Sequence, residues 1–159
     1  MVVKLRYKCP KDISFQCLRC AQCCGDTNLH VRHVLMLKTE AQRISKLTAK
    51  PIEEFAVETE EHEPYAYEMR KTQKEGRCVF LKSKACTIYE LRPVICRFYP
   101  FEFKPTESHV NEFLATDECP GINQGPRALR KSYFEDLLRQ LEEVSELRSR
   151  QVLAVSGHI

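Results

Sequence analysis

Four cysteines stand close together near the start of the chain, at a spacing that suits metal binding. Residues 15–25 read Phe-Gln-Cys-Leu-Arg-Cys-Ala-Gln-Cys-Cys-Gly and contain Cys17, Cys20, Cys23 and Cys24. Thiolates that recur every third residue in a turn can converge on one tetrahedral metal ion or on one face of an iron–sulfur cluster. Because adjacent side chains tend to diverge, the doublet serves either two centres or one centre from a kinked backbone. The segment predicts half of a metal site.

Further cysteines that lie in or beside predicted turns can supply the other half; they are Cys78, Cys86, Cys96 and Cys119. The eight thiols suffice for two four-thiolate centres or for one larger cluster. The C-x2-C-x2-C spacing is typical of ferredoxin-type iron–sulfur ligation, whereas four sulfur ligands suit zinc equally well. Cys9 is a ninth ligand, a spare thiol or a small buried residue, and we favour the last two interpretations.

The composition narrows the class of protein and its compartment. The chain has 159 residues, a net charge of +3 and 30% charged residues, which argues only weakly for nucleic acid. We find no signal-peptide core and no apolar stretch near the ~20 residues of a membrane span, and we therefore expect a soluble cytoplasmic protein. Reduced thiols in that compartment, and the odd count of nine cysteines, favour metal binding over disulfides.

The predicted helices come from capping signals and apolar periodicity. Thr39 is the expected N-cap of a helix over residues 40–48, whose apolar edge is Ile44 and Leu47. Pro51 is expected to begin a second helix at its first position. A long helix from Arg127 is predicted by a stripe of apolar residues that recur every three or four positions: Leu129, Tyr133, Leu137, Leu138, Leu141, Val144 and Leu147.

The middle of the chain predicts short strands and turns. Residues 65–71 alternate like a strand and turn into a second strand over residues 77–81, which together form a hairpin. A further turn follows at residues 82–84. Residues 88–91 are expected to form one helical turn, Pro93 to open a short helix that carries Cys96, and residues 110–115 to form a strand.

The histidines and the acidic run carry weaker signals. His30 and His33 are possible metal ligands, although a surface or hydrogen-bonded role is favoured because thiols are already plentiful. Residues 58–63 are acidic and predict a solvated loop that could bind a cation weakly.

The order of the cysteine motifs carries a resemblance to a known family. The motifs are C-x2-C-x2-C-C, G-x-C-x-F-L, C-x-I-Y-x-x-R-P-x-x-C-R-x-x-P-F and C-P-G-I, and together they cover residues 15–125. Besides the eight cysteines, they comprise Gly76, Phe80, Leu81, Ile88, Tyr89, Arg92, Pro93, Arg97, Pro100, Phe101, Pro120, Gly121 and Ile122. This arrangement resembles the YkgJ-type CxxCxxCC cysteine-cluster family of zinc- or iron-chelating proteins.

The resemblance implies that the eight cysteines are the ligand set and that Cys9 lies outside it. The family usually has glycine where this chain has Ala21, so the local turn is expected to differ. Arg92 and Arg97 flank Cys96 and are candidate cofactor-binding residues, because cationic donors beside a thiolate cluster raise its reduction potential. They could instead bind an anionic substrate, or only pack and hydrogen-bond to loops.

These observations predict a mainly helical, irregular α+β fold in which metal staples a cysteine-cluster domain with a short hairpin. We expect this domain over residues 1–125 and a C-terminal helix packed on it over residues 126–159. The expected cofactor is an iron–sulfur cluster, favoured as 4Fe–4S, or zinc. The expected function is electron transfer or support of a modification enzyme. The alternatives are a structural zinc interaction module and, by resemblance to flagellin lysine methylases, a cluster enzyme acting on protein. A protein partner is expected, and a nucleic acid or a membrane is not.

Overall fold

The computed structural model of the protein describes residues 6–108 and 110–145 as a small α+β fold. In the described residues the helices are α1 (Lys38–Thr48), α2 (Ile52–Phe55), α3 (Val94–Phe98) and α4 (Lys131–Ser145). The strands are β1 (Tyr7–Lys8), β2 (Leu35–Met36), β3 (Ala56–Glu58), β4 (Tyr67–Met69), β5 (Leu81–Lys82), β6 (Ala85–Cys86), β7 (Phe101–Pro105) and β8 (Asn111–Ala115). No helix in this part of the chain is long and apolar enough to cross a membrane.

The α+β class predicted from the sequence is confirmed, but the expectation of a mainly helical chain is not. Helix accounts for 29% and strand for 22% of the structure. The strands were hard to predict because most contain only two or three residues, too few for an alternating pattern to stand out.

The chain divides into two compact units. Within the described residues, unit 1 consists of residues 6–18, 98–108 and 110–145, and unit 2 consists of residues 19–97. The predicted cysteine-cluster domain of residues 1–125 therefore contributes to both units, and the described part of the predicted C-terminal helix belongs to unit 1.

Unit 1 is a three-stranded sheet covered by α4. The strand order is β1-β8-β7, with β1 parallel and β7 antiparallel to β8. Alternate residues of β7 and β8 point inward, as the strand period of two requires, and the ring of Phe113 lies 4.8 Å from that of Phe103 and 4.9 Å from that of Phe134 in α4. The predicted strand at residues 110–115 is confirmed as β8, whereas its partner β7 was missed.

The long helix begins later than predicted. It starts at Lys131, four residues beyond the expected Arg127, so Leu129 precedes it. Its buried face consists of Phe134, Leu137, Leu138 and Leu141. The predicted stripe contained these three leucines but not Phe134, and it included Tyr133, which is only half-buried. Leu147 and the rest of the predicted helix lie outside the described residues.

Unit 2 is built on the sheet β2-β4-β3, in which β4 is central and antiparallel to both neighbours. The sheet and α1 bury an apolar core of Met36, Ile44, Phe55, Ala56, Met69, Phe80 and Ile88. Leu47, expected to share the inner edge of α1 with Ile44, is instead 59% exposed. Position 47 lies only about 60° from position 44 around a helix, so Leu47 stands at the edge of the face that Glu40, Ala41 and Ile44 bury.

The first turn of α1 is organised by Glu40 rather than by Thr39. Leu37 is the N-cap, and its N–H donates a 3.0 Å hydrogen bond to the Glu40 carboxylate. The same carboxylate accepts a 2.6 Å hydrogen bond from the N–H of Val94, the first residue of α3. A single buried side chain therefore caps both helices, which links α1 to the helix that carries Cys96. Pro51 likewise is the N-cap of α2, one residue before the position predicted.

Turns in unit 2 follow the sequence closely. Lys71 and Cys78 form an antiparallel bridge across the turn at residues 72–77, where the sequence predicted a hairpin. The predicted second strand over residues 77–81 is not formed, because residues 79–80 lie in a turn and Leu81 begins β5. The predicted turn at residues 82–84 joins β5 to β6, with positive φ at both Ser83 and Lys84, as a type I′ hairpin requires. The predicted helical turn and the short helix that carries Cys96 are present as a 3-10 turn at Tyr89–Leu91 and as α3.

Candidate metal centre

Unit 1 contains Cys17 and Cys119 on neighbouring segments. The N–H of Gln16 donates a 3.0 Å hydrogen bond to the carbonyl of Gly121. Cys17 directly follows Gln16, and Cys119 stands two residues before Gly121. The approach is close enough to require glycine, since a Cβ at Gly121 would lie 2.3 Å from the Gln16 carbonyl oxygen. Cys17 is exposed and Cys119 is half-buried. The C-P-G-I motif thus serves to hold these two segments together.

The remaining cysteines of the opening segment belong to unit 2 and occupy a tight turn. Ala21 has φ 61° and ψ 13°, and it precedes a 3-10 turn at Gln22–Cys24. These dihedral angles are left-handed, the conformation that glycine adopts most easily. The Arg77 guanidinium donates a 2.8 Å hydrogen bond to the Ala21 carbonyl and so supports the turn. Although this chain lacks the family's usual glycine, its backbone still adopts a glycine-type conformation.

The doublet does not diverge as expected, because the sulfurs of Cys23 and Cys24 lie only 3.9 Å apart. The short 3-10 turn rotates neighbouring side chains by about 120° rather than the 180° of a strand. Both side chains can therefore face the same side of the backbone.

A backbone clamp brings the doublet to the second cysteine motif. The N–H of Cys78 donates a 2.7 Å hydrogen bond to the Cys24 carbonyl. The next residue, Gly25, forms an antiparallel bridge with Arg77, and a Cβ at Gly25 would lie only 2.6 Å from the Gly76 carbonyl oxygen. The close packing of the two segments therefore explains Gly25, while Gly76 is explained by its positive φ of 58°.

Cys78, Cys86 and Cys96 each project from a defined element. Cys78 follows the bridged turn, and its sulfur lies 3.2 Å from the Met69 sulfur. Cys86 is in β6, paired with Leu81. Cys96 is in α3, with its N–H bonded to the Pro93 carbonyl at 2.9 Å. Cys78 and Cys86 pack against the core of unit 2.

These thiols interact electrostatically, and burial together with their interactions raises their pKa values. The hydrogen bond with Cys24, together with burial, raises the pKa of Cys23. Burial is the main cause that raises the pKa values of Cys78, Cys86 and Cys96, and the charge of Cys23 raises all three further. Four sequence-predicted ligands from three separate motifs thus lie within electrostatic range of one another in unit 2.

The donor chemistry of this group fits a thiophilic metal. Buried thiols that disfavour each other's ionisation need a cation before they can become thiolates, and zinc or iron supplies that charge. As the described residues are placed, no group of three or more His, Cys, Asp or Glu side chains could hold a metal ion. The backbone therefore brings the cysteine motifs close together, but no three of the described side chains are arranged around one point.

Arginines surround the cysteine group, and one of them was not anticipated. Arg32 is only 3% exposed, and its charge lowers the pKa of Cys23. The charge of Arg92 lowers the pKa values of Cys86 and Cys96. Sequence reasoning missed Arg32 because nothing in its local sequence marks a buried cation.

Arg92 and Arg97 also make contacts that support the loop before α3. The Arg92 guanidinium lies 3.7 Å from the centre of the Tyr89 ring and donates a 2.9 Å hydrogen bond to the Tyr89 carbonyl. Arg97 donates hydrogen bonds to the carbonyls of Arg92 at 2.8 Å and Glu90 at 3.2 Å. Both arginines stay candidate cofactor-binding residues, and these bonds fix where their charges lie.

Cys9 lies in unit 1, beside α4. Burial raises the pKa of the Cys9 thiol, while the charge of Lys131 lowers it and that of Glu135 raises it. This environment of a lysine and a carboxylate differs from the cysteine-rich environment in unit 2.

Comparison of the sequence with known protein families identifies the family of this chain. Residues 16–120 match the family model "CxxCxxCC: Putative zinc- or iron-chelating domain". The chain belongs to this family. It is therefore a member of a metal-chelating CxxCxxCC family, as its motifs predicted, and the match includes all eight cysteines of the predicted ligand set but not Cys9.

Two archaeal relatives come from Methanocaldococcus jannaschii. "Uncharacterized protein MJ0661" is 24% identical over 129 residues, which are 77% of this chain and 66% of the relative. "Uncharacterized protein MJ0939" is 25% identical over 141 residues, which are 84% of this chain and 45% of the relative. The aligned part of this CxxCxxCC protein thus spans between about half and two thirds of these relatives. No solved structure matches the chain.

Proposed function

We propose that this CxxCxxCC protein binds an iron–sulfur cluster and uses it for electron transfer or to support a modification enzyme. The observation that carries the proposal is the group of mutually interacting thiols in unit 2: Cys23, Cys78, Cys86 and Cys96. A buried thiol becomes a thiolate only when a partner compensates its charge. A bound metal is the compensation that the family description leads us to expect.

The proposed ligands are the eight cysteines that the resemblance implies. Unit 2 contributes Cys20, Cys23, Cys24, Cys78, Cys86 and Cys96, which exceed the four that one zinc ion needs. That surplus favours two centres or one larger polynuclear cluster over a single four-cysteine site. The favoured cluster type is 4Fe–4S, and one such cluster would take four of these thiols. Cys17 and Cys119 in unit 1 are proposed as ligands on the resemblance and on the close pairing of their segments.

The charge around the thiols supports a redox role. An iron–sulfur cluster supplies an electron-accepting centre when bound, and its potential rises as nearby positive charge offsets the thiolates. Buried Arg32 acts on Cys23, and Arg92 acts on Cys86 and Cys96. Both guanidiniums would keep this effect at any physiological pH, because arginine does not lose its proton there.

Structural zinc is the second candidate function. Four thiols in unit 2 interact with one another, and four is the coordination number of a closed zinc site. In that case unit 2 would be a zinc-stapled interaction module without redox chemistry. Leu29 and Val31, which are 80% and 59% exposed after the cysteine doublet, support a protein as the partner in either case. A cluster enzyme acting on a protein lysine stays a third candidate, argued from the resemblance alone.

Elemental analysis of anaerobically purified protein decides between the first two candidates. We expect iron together with acid-labile sulfide, and a broad visible absorption that bleaches on reduction. Zinc without iron or sulfide would refute the iron–sulfur proposal and support the structural module.

A pair of serine variants tests the ligand set with a matched control. Cys96→Ser should lower the metal content by at least half, because it removes one sulfur donor from the set of interacting thiols in unit 2. Cys9→Ser, in the separate environment of Lys131 and Glu135, should keep the metal. Full metal content in Cys96→Ser would exclude Cys96, and circular dichroism of both variants shows whether metal loss follows from unfolding.

A further inference from the structure

We propose that unit 2 contains a second metal site, separate from the cysteines, in which the imidazoles of His33 and His62 bind one divalent transition-metal ion. The two rings lie 6.1 Å apart between centroids. They come from segments separated by almost thirty residues, and the chain fold alone brings them together. This site goes beyond the proposed cluster function and does not depend on it.

Glu68 orients the first of these imidazoles. Its carboxylate lies 2.8 Å from Nδ1 of His33. A carboxylate only accepts hydrogen bonds, so Nδ1 carries the proton and Nε2 has the lone pair that a metal needs. A histidine held in this way by a carboxylate is the usual arrangement of metal-binding histidines, in which the carboxylate fixes the tautomer and makes the ligand more basic.

The carboxylate itself stands on a rigid element. Glu68 is in the middle of β4, where it is paired with Leu35 of β2 and with Val57 of β3. A residue on the central strand of a sheet moves less than one on a loop, which suits a group that positions a ligand.

The separation of the two rings fits a shared metal ion. With a metal–nitrogen distance of about 2.0–2.1 Å, each ring centroid lies roughly 3.2 Å from the metal. Two rings on one ion are then about 5.2 Å apart at a tetrahedral angle and about 6.4 Å apart at a linear one. The observed 6.1 Å falls between these values. A shift of roughly 1 Å, within the reach of side-chain rotation, would give the tetrahedral arrangement.

The surroundings of His62 favour a cation. His62 lies at the end of the acidic run, between Glu61 and Glu63, in a turn fixed by a 2.8 Å hydrogen bond from the Tyr65 N–H to the His62 carbonyl. The His33 and Glu68 side chains are 28% and 24% exposed, so an ion from solvent can reach the site.

The proposed ion is one that prefers imidazole, such as Zn²⁺, Co²⁺ or Ni²⁺. Since no group of three suitable side chains in the described residues is already arranged to hold a metal, water completes the coordination. We therefore expect weaker and more readily exchanged binding than at a closed cysteine site.

Titration with Co²⁺ on intact, anaerobically isolated protein tests this site. Imidazole-bound Co²⁺ lacks the sulfur-to-metal absorption that thiolate-bound Co²⁺ shows, so the two kinds of site give different spectra. We expect one equivalent without that absorption. His33→Ala and His62→Ala should each weaken its binding at least tenfold, and Glu68→Gln should weaken it about tenfold, the lower end for a carboxylate behind a ligand. His30→Ala, an exposed histidine three residues from His33, is the matched control and should bind normally.

Nuclear magnetic resonance of the wild-type protein keeps the proposal testable if a variant fails to fold. Substoichiometric Co²⁺ should shift or broaden the ring resonances of His33 and His62 before those of His30. The proposal is overturned if either alanine variant of this pair folds and binds Co²⁺ normally. It is also overturned if all bound Co²⁺ shows the thiolate absorption or if the wild-type rings are unaffected.

Discussion

The two units of this chain fill their interiors with different kinds of side chain. Unit 1 stacks phenylalanines, with the rings of Phe98, Phe103 and Phe134 all within 6 Å of the ring of Phe113. Unit 2 combines a smaller mixed core with half-buried cysteines, of which Cys78 and Cys86 pack directly against it. An aromatic core is stabilised by burial alone. Thiols that raise one another's pKa values give no such gain until a cation joins them, so unit 2 is the part we expect to depend on metal.

Metal removal should give the largest difference between the units. We expect anaerobic chelation to destabilise unit 2 by about 3 kcal/mol or more, since thiolate metal sites contribute on the order of 10 kcal/mol to small domains. Hydrogen exchange should show lost protection at β4 and retained protection at β8. Equal loss of protection in both units, or no loss in unit 2, would show that the two units do not differ in their dependence on metal.

Phe113→Ala should give the converse result. It removes a ring from the centre of the unit 1 core, where Phe113 is 1% exposed, and should cost about 3–5 kcal/mol of unfolding free energy. Metal content should stay unchanged. The matched control is Leu114→Ala on the opposite face of β8, where the side chain is 41% exposed and the change should be within about 0.5 kcal/mol. Denaturant unfolding of both variants measures the difference.

Glu40→Gln tests the double cap in unit 2. It should lower the unfolding free energy by about 1–3 kcal/mol, because the N–H of either Leu37 or Val94 loses its acceptor. Burial raises the pKa of the Glu40 carboxyl, although its hydrogen bonds oppose that shift. A raised folded pKa stabilises the protein below the unfolded pKa, and this stabilisation is lost as pH rises through the folded pKa.

Unfolding of wild type and Glu40→Gln from about pH 4 to pH 8 measures this dependence. The variant should lack the decline in stability with rising pH that Glu40 causes in wild type. Glu53→Gln is the control, since Glu53 is exposed in the first turn of α2. Parallel pH profiles for Glu40→Gln and wild type would contradict the assignment.

Ala21→Gly should have the smallest effect and the opposite sign. Because Ala21 is left-handed, glycine relieves about 1–2 kcal/mol of backbone strain. Glycine also loses more chain entropy on folding, which leaves a net gain of roughly 0.5–1 kcal/mol. Ala41→Gly inside α1 should instead destabilise by about 1 kcal/mol or more. Thermal unfolding checks both signs, and destabilisation by Ala21→Gly would show that the methyl group contributes packing that outweighs the strain.

The elements that the sequence predicted correctly are those that depend on interactions between residues close together in the chain. The proline before α3, the turn at Ser83 and Lys84 and the apolar face of α4 all follow from short-range preferences, and the structure contains them. The first turn of α1 was mispredicted because Thr39 matches the N-cap preference, while the actual cap comes from Glu40, whose carboxylate is held by a second helix. A local preference is overridden when a tertiary contact satisfies the same backbone group.

The sequence by itself determined the chemistry: the residue types and spacing of the cysteine motifs, the family they indicate and the short helix that carries Cys96. Only the tertiary structure decided which cysteines share a unit, that buried Arg32 lies within electrostatic range of Cys23, and that His33 pairs with Glu68 rather than acting with His30. The physical reason is range. Motif spacing reflects backbone geometry over a few residues, whereas His33 and Glu68 are 35 residues apart and meet only through the register of β2 on β4.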